Sequence, residues 1–179
     1  LRRTAMPHIA TLAPDPDDPN RHFTNLSRKD LQECPNIKIV RIDGSLYYGA
    51  VDHVATYLTG ISENYPQRHL LIIANGINFV DITGAEFLVQ EANRWRDLGG
   101  GLYLSGLKRV AQDHLTSGGY IKQIGEDHIF DTKKEAVAGI YEHISDEACL
   151  QCDARIFREC QAKARRAEEE VKFEQKKSE

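Results

Sequence analysis

The sequence predicts an α/β fold: a mixed sheet of four to six strands flanked by helices, with an extended N-terminal arm and a C-terminal helix. Three observations predict it. Leu70-Leu71-Ile72-Ile73-Ala74 is a continuous apolar run without alternation, which suits a strand covered on both faces. From residue 37 to residue 144, β-branched runs alternate with segments of helical spacing, the order of a parallel or mixed sheet with crossover helices. Turn residues punctuate the joints, at Asp43-Gly44, Gly60, Pro66, Gly99-Gly100-Gly101 and Gly118-Gly119.

Residues 1–35 carry Pro7, Pro14, Pro16, Pro19 and Pro35, interleaved with Asp15, Asp17 and Asp18. Pro and Asp at this density oppose helix and sheet alike, so the stretch reads as a linker or extended arm. The domain proper is expected over residues 36–145. Ile37, Ile39, Val40 and Ile42 form its first strand, and Val51, Val54, Ala55 and Leu58 mark the first helix. After the apolar strand at 70–74, a turn leads into a helix from about Thr83 to Leu98 with Phe87, Leu88, Ala92 and Trp95 on its inward stripe. Leu102-Tyr103-Leu104 is a third strand, residues 108–117 a helix, Ile129-Phe130 a short strand, and Asp131 or Thr132 caps a last helix carrying Ala136, Val137, Ile140 and Ile144. Residues 146–179 read as one charged helix, with Cys149, Cys152, Ile156, Cys160, Ala164, Ala167 and Val171 along a single stripe.

With 41% hydrophobic and 28% charged residues, the composition is that of a globular protein, and no apolar run approaches the roughly 20 residues of a membrane span. A net charge of -4, with basic residues interspersed among acids, argues against nucleic-acid binding. Four cysteines in a chain of this length do not make a disulfide scaffold, so a reducing compartment is expected. A start at Leu1 rather than Met is read as a fragment of a longer protein.

Function is sought first where the apolar strand gives way to Asp81-Ile82-Thr83-Gly84-Ala85-Glu86, because ligands and switches gather at the carboxyl ends of parallel strands. Thr83 and Glu86 have the spacing of a capping box. Thr83 is also the phosphoacceptor candidate, since helix N-terminal N–H groups and the helix dipole favour a phosphate. Asp81, Ile82, Gly84 and Glu86 are the candidate partner-binding residues around it. No Gly-x-x-x-x-Gly-Lys-Ser/Thr loop and no Gly-x-Ser-x-Gly elbow is present, and Ser45 and Ser105 have no placed base. No catalytic residue, cofactor or metal site is expected, and the chain is not read as an enzyme. Cys149-x-x-Cys152 with Cys160 and His143 has a metal reading, but lacks a second close pair and is assigned to packing. The seven histidines show no ligand spacing.

Strand, Asp43-Gly44-Ser45-Leu46-Tyr47-Tyr48-Gly49-Ala50, helix, apolar strand, Asp81-Ile82-Thr83-Gly84 and helix follow one another in an order that resembles the STAS domain. That family covers the cytoplasmic domain of sulfate transporters and the bacterial anti-sigma factor antagonists. Ile42 to Tyr48, Arg68-His69-Leu70-Leu71-Ile72 and Leu107-Lys108-Arg109-Val110 are similar to stretches typical of the sulfate permease (SulP) branch. Thr4 to His8 and Arg21-His22-Phe23 resemble the segment joining the last membrane helix to the domain. The resemblance implies a STAS-type fold and a regulatory or docking role within a secondary anion transporter of the sulfate or bicarbonate type. The implied location is the cytoplasmic side of the bacterial inner membrane, with no direct membrane insertion by this segment. Implied partners are the transporter's own membrane domain, a second copy or a soluble regulatory protein. The alternative is a free-standing antagonist in a partner-switching pathway: there the hydroxyl residue before the glycine of an Asp-Ser-Ser/Thr-Gly pattern is phosphorylated, and Thr83 occupies that position. Ile82 departs from the pattern.

Overall fold

In the computed structural model, which describes residues 6–178, the chain forms one sheet with helices on both faces. The strands are β1 (His8–Pro14), β2 (Phe23–Asn25), β3 (Ile37–Leu46), β4 (His69–Ile73), β5 (Ile77–Val80), β6 (Gly101–Ser105) and β7 (Ile129–Phe130). Six lie in the order β2-β1-β3-β4-β6-β7, and β5 pairs with the far end of β3. β3, β4, β6 and β7 are parallel, with Val40 opposite Ile72, Leu71 opposite Tyr103 and Leu104 opposite Ile129. β1 runs antiparallel to β3, with Ala10 opposite Arg41.

The apolar runs are continuous because successive side chains feed two cores. Val40, Ile42, Leu70, Ile72, Leu102 and Leu104 face the helices α1 (Val51–Asn64), α2 (Ile82–Asp97), α3 (Arg109–Ser117) and α4 (Tyr120–Ile124), meeting Val54, Leu58, Phe87, Leu88 and Trp95. Ile37, Ile39, Leu71, Ile73 and Tyr103 face the other way, onto α5 (Lys133–Tyr141) and the tail, where Ala136, Val137, Ile140, Ile156 and Phe157 close the second core. Alternation with a period of two is present but invisible in the sequence, since both faces are apolar. Thr132, not Asp131, caps α5 by accepting from the Glu135 N–H at 3.1 Å.

Three expectations are corrected. The arm is not merely a linker: β1 and β2 extend the sheet, which raises the strand count to seven. Its prolines flank the strand instead of breaking it, and Asp15 and Asp18 build the intervening turn by accepting from the Asp17 and Asn20 amides at 3.0 and 2.8 Å. Lys29 fastens that turn through Asp15 and Asp17, each at 2.7 Å. Thr4 and Ala5 lie outside the described residues. Second, the polar turn after β4 contains the strand β5, short and half-exposed. Third, the tail is two helices, α6 (Asp146–Leu150) and α7 (Arg158–Lys177), so the cysteine stripe does not lie on one helix.

The tail breaks without Gly or Pro because Ile156 and Phe157 leave the helical path to enter the second core, with Arg155 at a φ of 40°. Phe157 meets Phe23 and Tyr141 edge-on, at centroid distances of 6.3 and 6.2 Å. Arm and tail also exchange hydrogen bonds, from Arg21 to the Ile156 carbonyl at 3.0 Å and from Arg158 to the Pro19 carbonyl at 2.6 Å. Beyond Ala167 the stripe is exposed, Val171 included. Replacing buried Phe157 by Ala is expected to cost about 3–5 kcal/mol, read as a lower urea midpoint.

Candidate functional site

α2 begins one residue earlier than its sequence signature suggests, and this changes which residue does what. Ile82 is the first helical residue and Asp81 is the cap, with extended backbone at φ −84° and ψ −178°. One carboxylate oxygen of Asp81 accepts from the Gly84 N–H at 2.7 Å. The other accepts from the Tyr48 N–H at 3.0 Å. Asp81 therefore caps the helix and pins the loop after β3 to it. The predicted capping box at Thr83 and Glu86 does not form, because Thr83 stands second in the helix and Glu86 fifth, two positions out of register with a cap and its third residue.

Gly84 is buried where α2 crosses the end of β3, and a Cβ there would sit 2.3 Å from the Leu46 carbonyl oxygen. The Asp81 N–H donates to that same carbonyl at 3.0 Å. Only glycine lets the helix start approach this closely. Thr83 is half-buried, and its hydroxyl makes no hydrogen bond with a described residue. Ile82 and Glu86 are exposed.

Around this helix start four apolar side chains stand exposed among polar Asn78, Glu86, Lys108 and Arg109. Tyr48 in the pinned loop is 82% exposed, Phe79 on β5 54%, Ile82 61% and Val110 in the first turn of α3 75%. A Lys108 to Asn78 hydrogen bond ties the start of α3 to β5, holding these elements at one edge. The edge carries a cap and exposed apolar side chains. All five predicted site residues, Asp81, Ile82, Thr83, Gly84 and Glu86, belong to it; Tyr48 and Val110 entered the sequence reading only within stretches that resemble the SulP branch, and Phe79 was not singled out because single exposed apolar residues are ordinary.

The STAS domain family model matches residues 28–136, more than half of the chain. The chain belongs to the STAS domain family. The STAS domain is 26% identical over 104 residues to "Putative sulfate transporter YvdB" of Bacillus subtilis (strain 168), covering 58% of this chain and spanning 19% of that protein's length. In fold it is similar to part of the murine Solute Carrier 26 family member A9 anion transporter in the inward-facing state, with a TM-score of 0.67, 20% identity, and 78% of this chain and 23% of that one covered. It is also similar to a sulfate transporter family protein from Wolinella succinogenes, with a TM-score of 0.54, 24% identity, and 72% and 97% coverage. The unphosphorylated anti-sigma factor antagonist SpoIIAA shares the fold, with a TM-score of 0.51 at 12% identity and coverage of 64% and 96%. The STAS fold expected from the sequence is the fold observed. Among the described residues, no helix is long and apolar enough to cross a membrane.

At the opposite end of the sheet the STAS domain gathers residues that their spacing had kept apart. His69, Tyr103, His128 and His143 form an aromatic cluster, with Tyr103 and His128 stacked at a centroid distance of 4.4 Å and His69 sharing a 3.0 Å hydrogen bond with the Tyr103 hydroxyl. Burial, and next the imidazoles of His143 and His128, push the His69 pKa down to about 4. Burial of the Tyr103 phenol, with Asp127 adding to it, pushes that group up to about 12. The four cysteines, Cys34, Cys149, Cys152 and Cys160, line one small cavity beneath the tail. Cys34 is buried, its thiol pushed up to about 11 by burial.

Asp81→Ala is expected to cost about 1–2 kcal/mol through the lost cap, whereas Thr83→Ala is expected to shift stability by no more than about 0.5 kcal/mol. Chemical denaturation of the two variants tests this; equal losses would return the cap to Thr83. His69 binds its proton more weakly folded than unfolded, so its contribution to stability is present above pH 6.5 and is lost as pH falls toward 4. The loss is expected to reach about 3 kcal/mol across that window, seen as a urea midpoint that falls between pH 7 and pH 5 less steeply in His69→Gln.

Proposed function

We propose that the chain is a non-enzymatic regulatory and docking domain of a secondary anion transporter of the sulfate or bicarbonate type, held at the cytoplasmic side of the bacterial inner membrane. The observation that carries the reading is the apolar edge of Tyr48, Phe79, Ile82 and Val110 around the Asp81 cap. Exposed apolar clusters mark contact surfaces, and this one sits on a rigid helix start held by two hydrogen bonds to Asp81. Similarity to a sulfate transporter and to part of an anion transporter supports the membrane domain of the same protein as its partner. A second copy or a soluble regulator is the competing occupant.

The decisive measurement is anion uptake by the full-length protein reconstituted in proteoliposomes, wild type against Tyr48→Glu/Ile82→Glu. Both positions are exposed, so the domain should melt as before while sulfate or bicarbonate uptake falls by about fivefold or more. Unchanged uptake in the double variant would remove the docking face. Absence of uptake of sulfate, bicarbonate, chloride and dicarboxylates by the wild type would remove the transporter assignment.

A second reading is regulation through Thr83, as in a free-standing partner-switching antagonist. The observation favouring it is that Asp81 takes over the cap and that the Thr83 hydroxyl makes no hydrogen bond with a described residue. A phosphate there would meet first-turn amides. The Asp81 carboxylate two residues away opposes it.

A further inference from the structure

We propose that Asp127, His128 and His143 form a binding site for a divalent transition-metal ion of the zinc and nickel class, at the end of the sheet opposite the Asp81 cap. Each residue offers one ligand atom, and the three atoms all lie within 4.8 Å of one another. Among the described residues this is the set of three or more His, Cys, Asp or Glu side chains that meets that separation. Asp127 and His128 come from the single 3-10 turn Glu126–His128 that leads into β7, and His143 from just beyond α5.

His128 is oriented for the role before any ion arrives. Its Nδ1 lies 2.9 Å from the Leu102 carbonyl oxygen, which can only accept, so Nδ1 carries the proton and donates. That fixes the tautomer and leaves the Nε2 lone pair free, the arrangement that ligating histidines adopt when a backbone carbonyl holds the other nitrogen. The ring is further held flat against Tyr103, at 4.4 Å and 23°. Tyr103 is itself buried and hydrogen-bonded to His69. The His143 ring meets His128 edge-on with centroids 5.8 Å apart, and it lies 6.0 Å from Tyr103. One ligand is thus fixed by the core, while Asp127 and His143 are exposed on the solvent side.

Two imidazoles and one carboxylate suit zinc, nickel, cobalt or copper, and are a poor match for calcium or magnesium, which prefer all-oxygen shells. Three protein ligands leave at least one position for water or for a group from another molecule. An ion held here joins the turn before β7 to the segment after α5, closing the β7–α5 unit at its open end.

The four cysteines are the competing metal ligands, and the experiment separates the two. Tag-free residues 1–179, stripped of metal, are titrated with NiCl₂ and ZnCl₂ by calorimetry, with histidine ring nitrogens followed by NMR. One equivalent of ion is expected to bind and to shift the Nε2 signal of His128. His143→Ala, an exposed position that leaves the fold intact, is expected to weaken binding by about tenfold or more, as is Asp127→Asn. Cys149→Ser/Cys152→Ser is expected to leave that binding unchanged. Absence of stoichiometric binding, retention of wild-type affinity in His143→Ala, or loss of binding in the cysteine variant would each overturn the assignment.

Discussion

Everything in this molecule depends on β3 and β4 being buried on both faces. Their side chains point alternately into two separate cores, so the sheet is stable only when α1 to α4 cover one side and α5 with the tail covers the other. The exception within the strands shows how strict the requirement is. Lys38 on β3 is 1% exposed, yet its ammonium sits 2.9 Å from a Glu33 carboxylate oxygen and 3.6 Å from the centroid of the Tyr65 ring. A buried cation is tolerated because it is paired and lies against an aromatic face.

A sheet covered on both faces has only its ends left for function, and the two ends differ in chemistry. At the carboxyl ends, the carboxylate of Asp81 bridges the β3 loop and α2, and apolar side chains project around it. At the amino ends, the His128 imidazole stacks on buried Tyr103 and His143 lies tilted beside it. The first end is apolar around one carboxylate, and the second is rich in imidazole.

How much of this was legible in the sequence followed from how local each signal is. β3, β4, β6 and α1 to α3 were legible because apolar periodicity and Gly or Pro boundaries act within a few residues. β1 was hidden because Pro7 and Pro14 obscured the six residues between them, and the break in the tail was hidden because no local breaker marks it; Phe157 is drawn out of the helix by a core that joins Phe23 of the arm to Tyr141 of α5. The site was legible as a segment but not in its roles. Asp81 and Thr83 are both good caps, and choosing between them needs the position of Leu46 and Tyr48, which only the fold supplies. The histidine cluster had no sequence signature, since positions 69, 128 and 143 converge only when the amino ends of the strands align.

The path by which the arm joins the sheet has a consequence for how the domain meets its surroundings. His8 lies opposite Asp43, and Pro7 packs so closely on Gly44 that a Cβ there would come within 2.9 Å of the Pro7 Cα. The Pro7 carbonyl also accepts from His53 at 3.1 Å. The chain is therefore clamped where it enters, at the same edge of the sheet as the Asp81 cap and its apolar surround. Anything joined upstream of that clamp is tethered a short distance from the edge, and its encounter with that edge becomes an intramolecular one, at a local concentration of the order of millimolar for a short flexible connection. In the proposed docking role a weak face suffices under those conditions, which fits an edge with four exposed apolar side chains, Tyr48, Phe79, Ile82 and Val110.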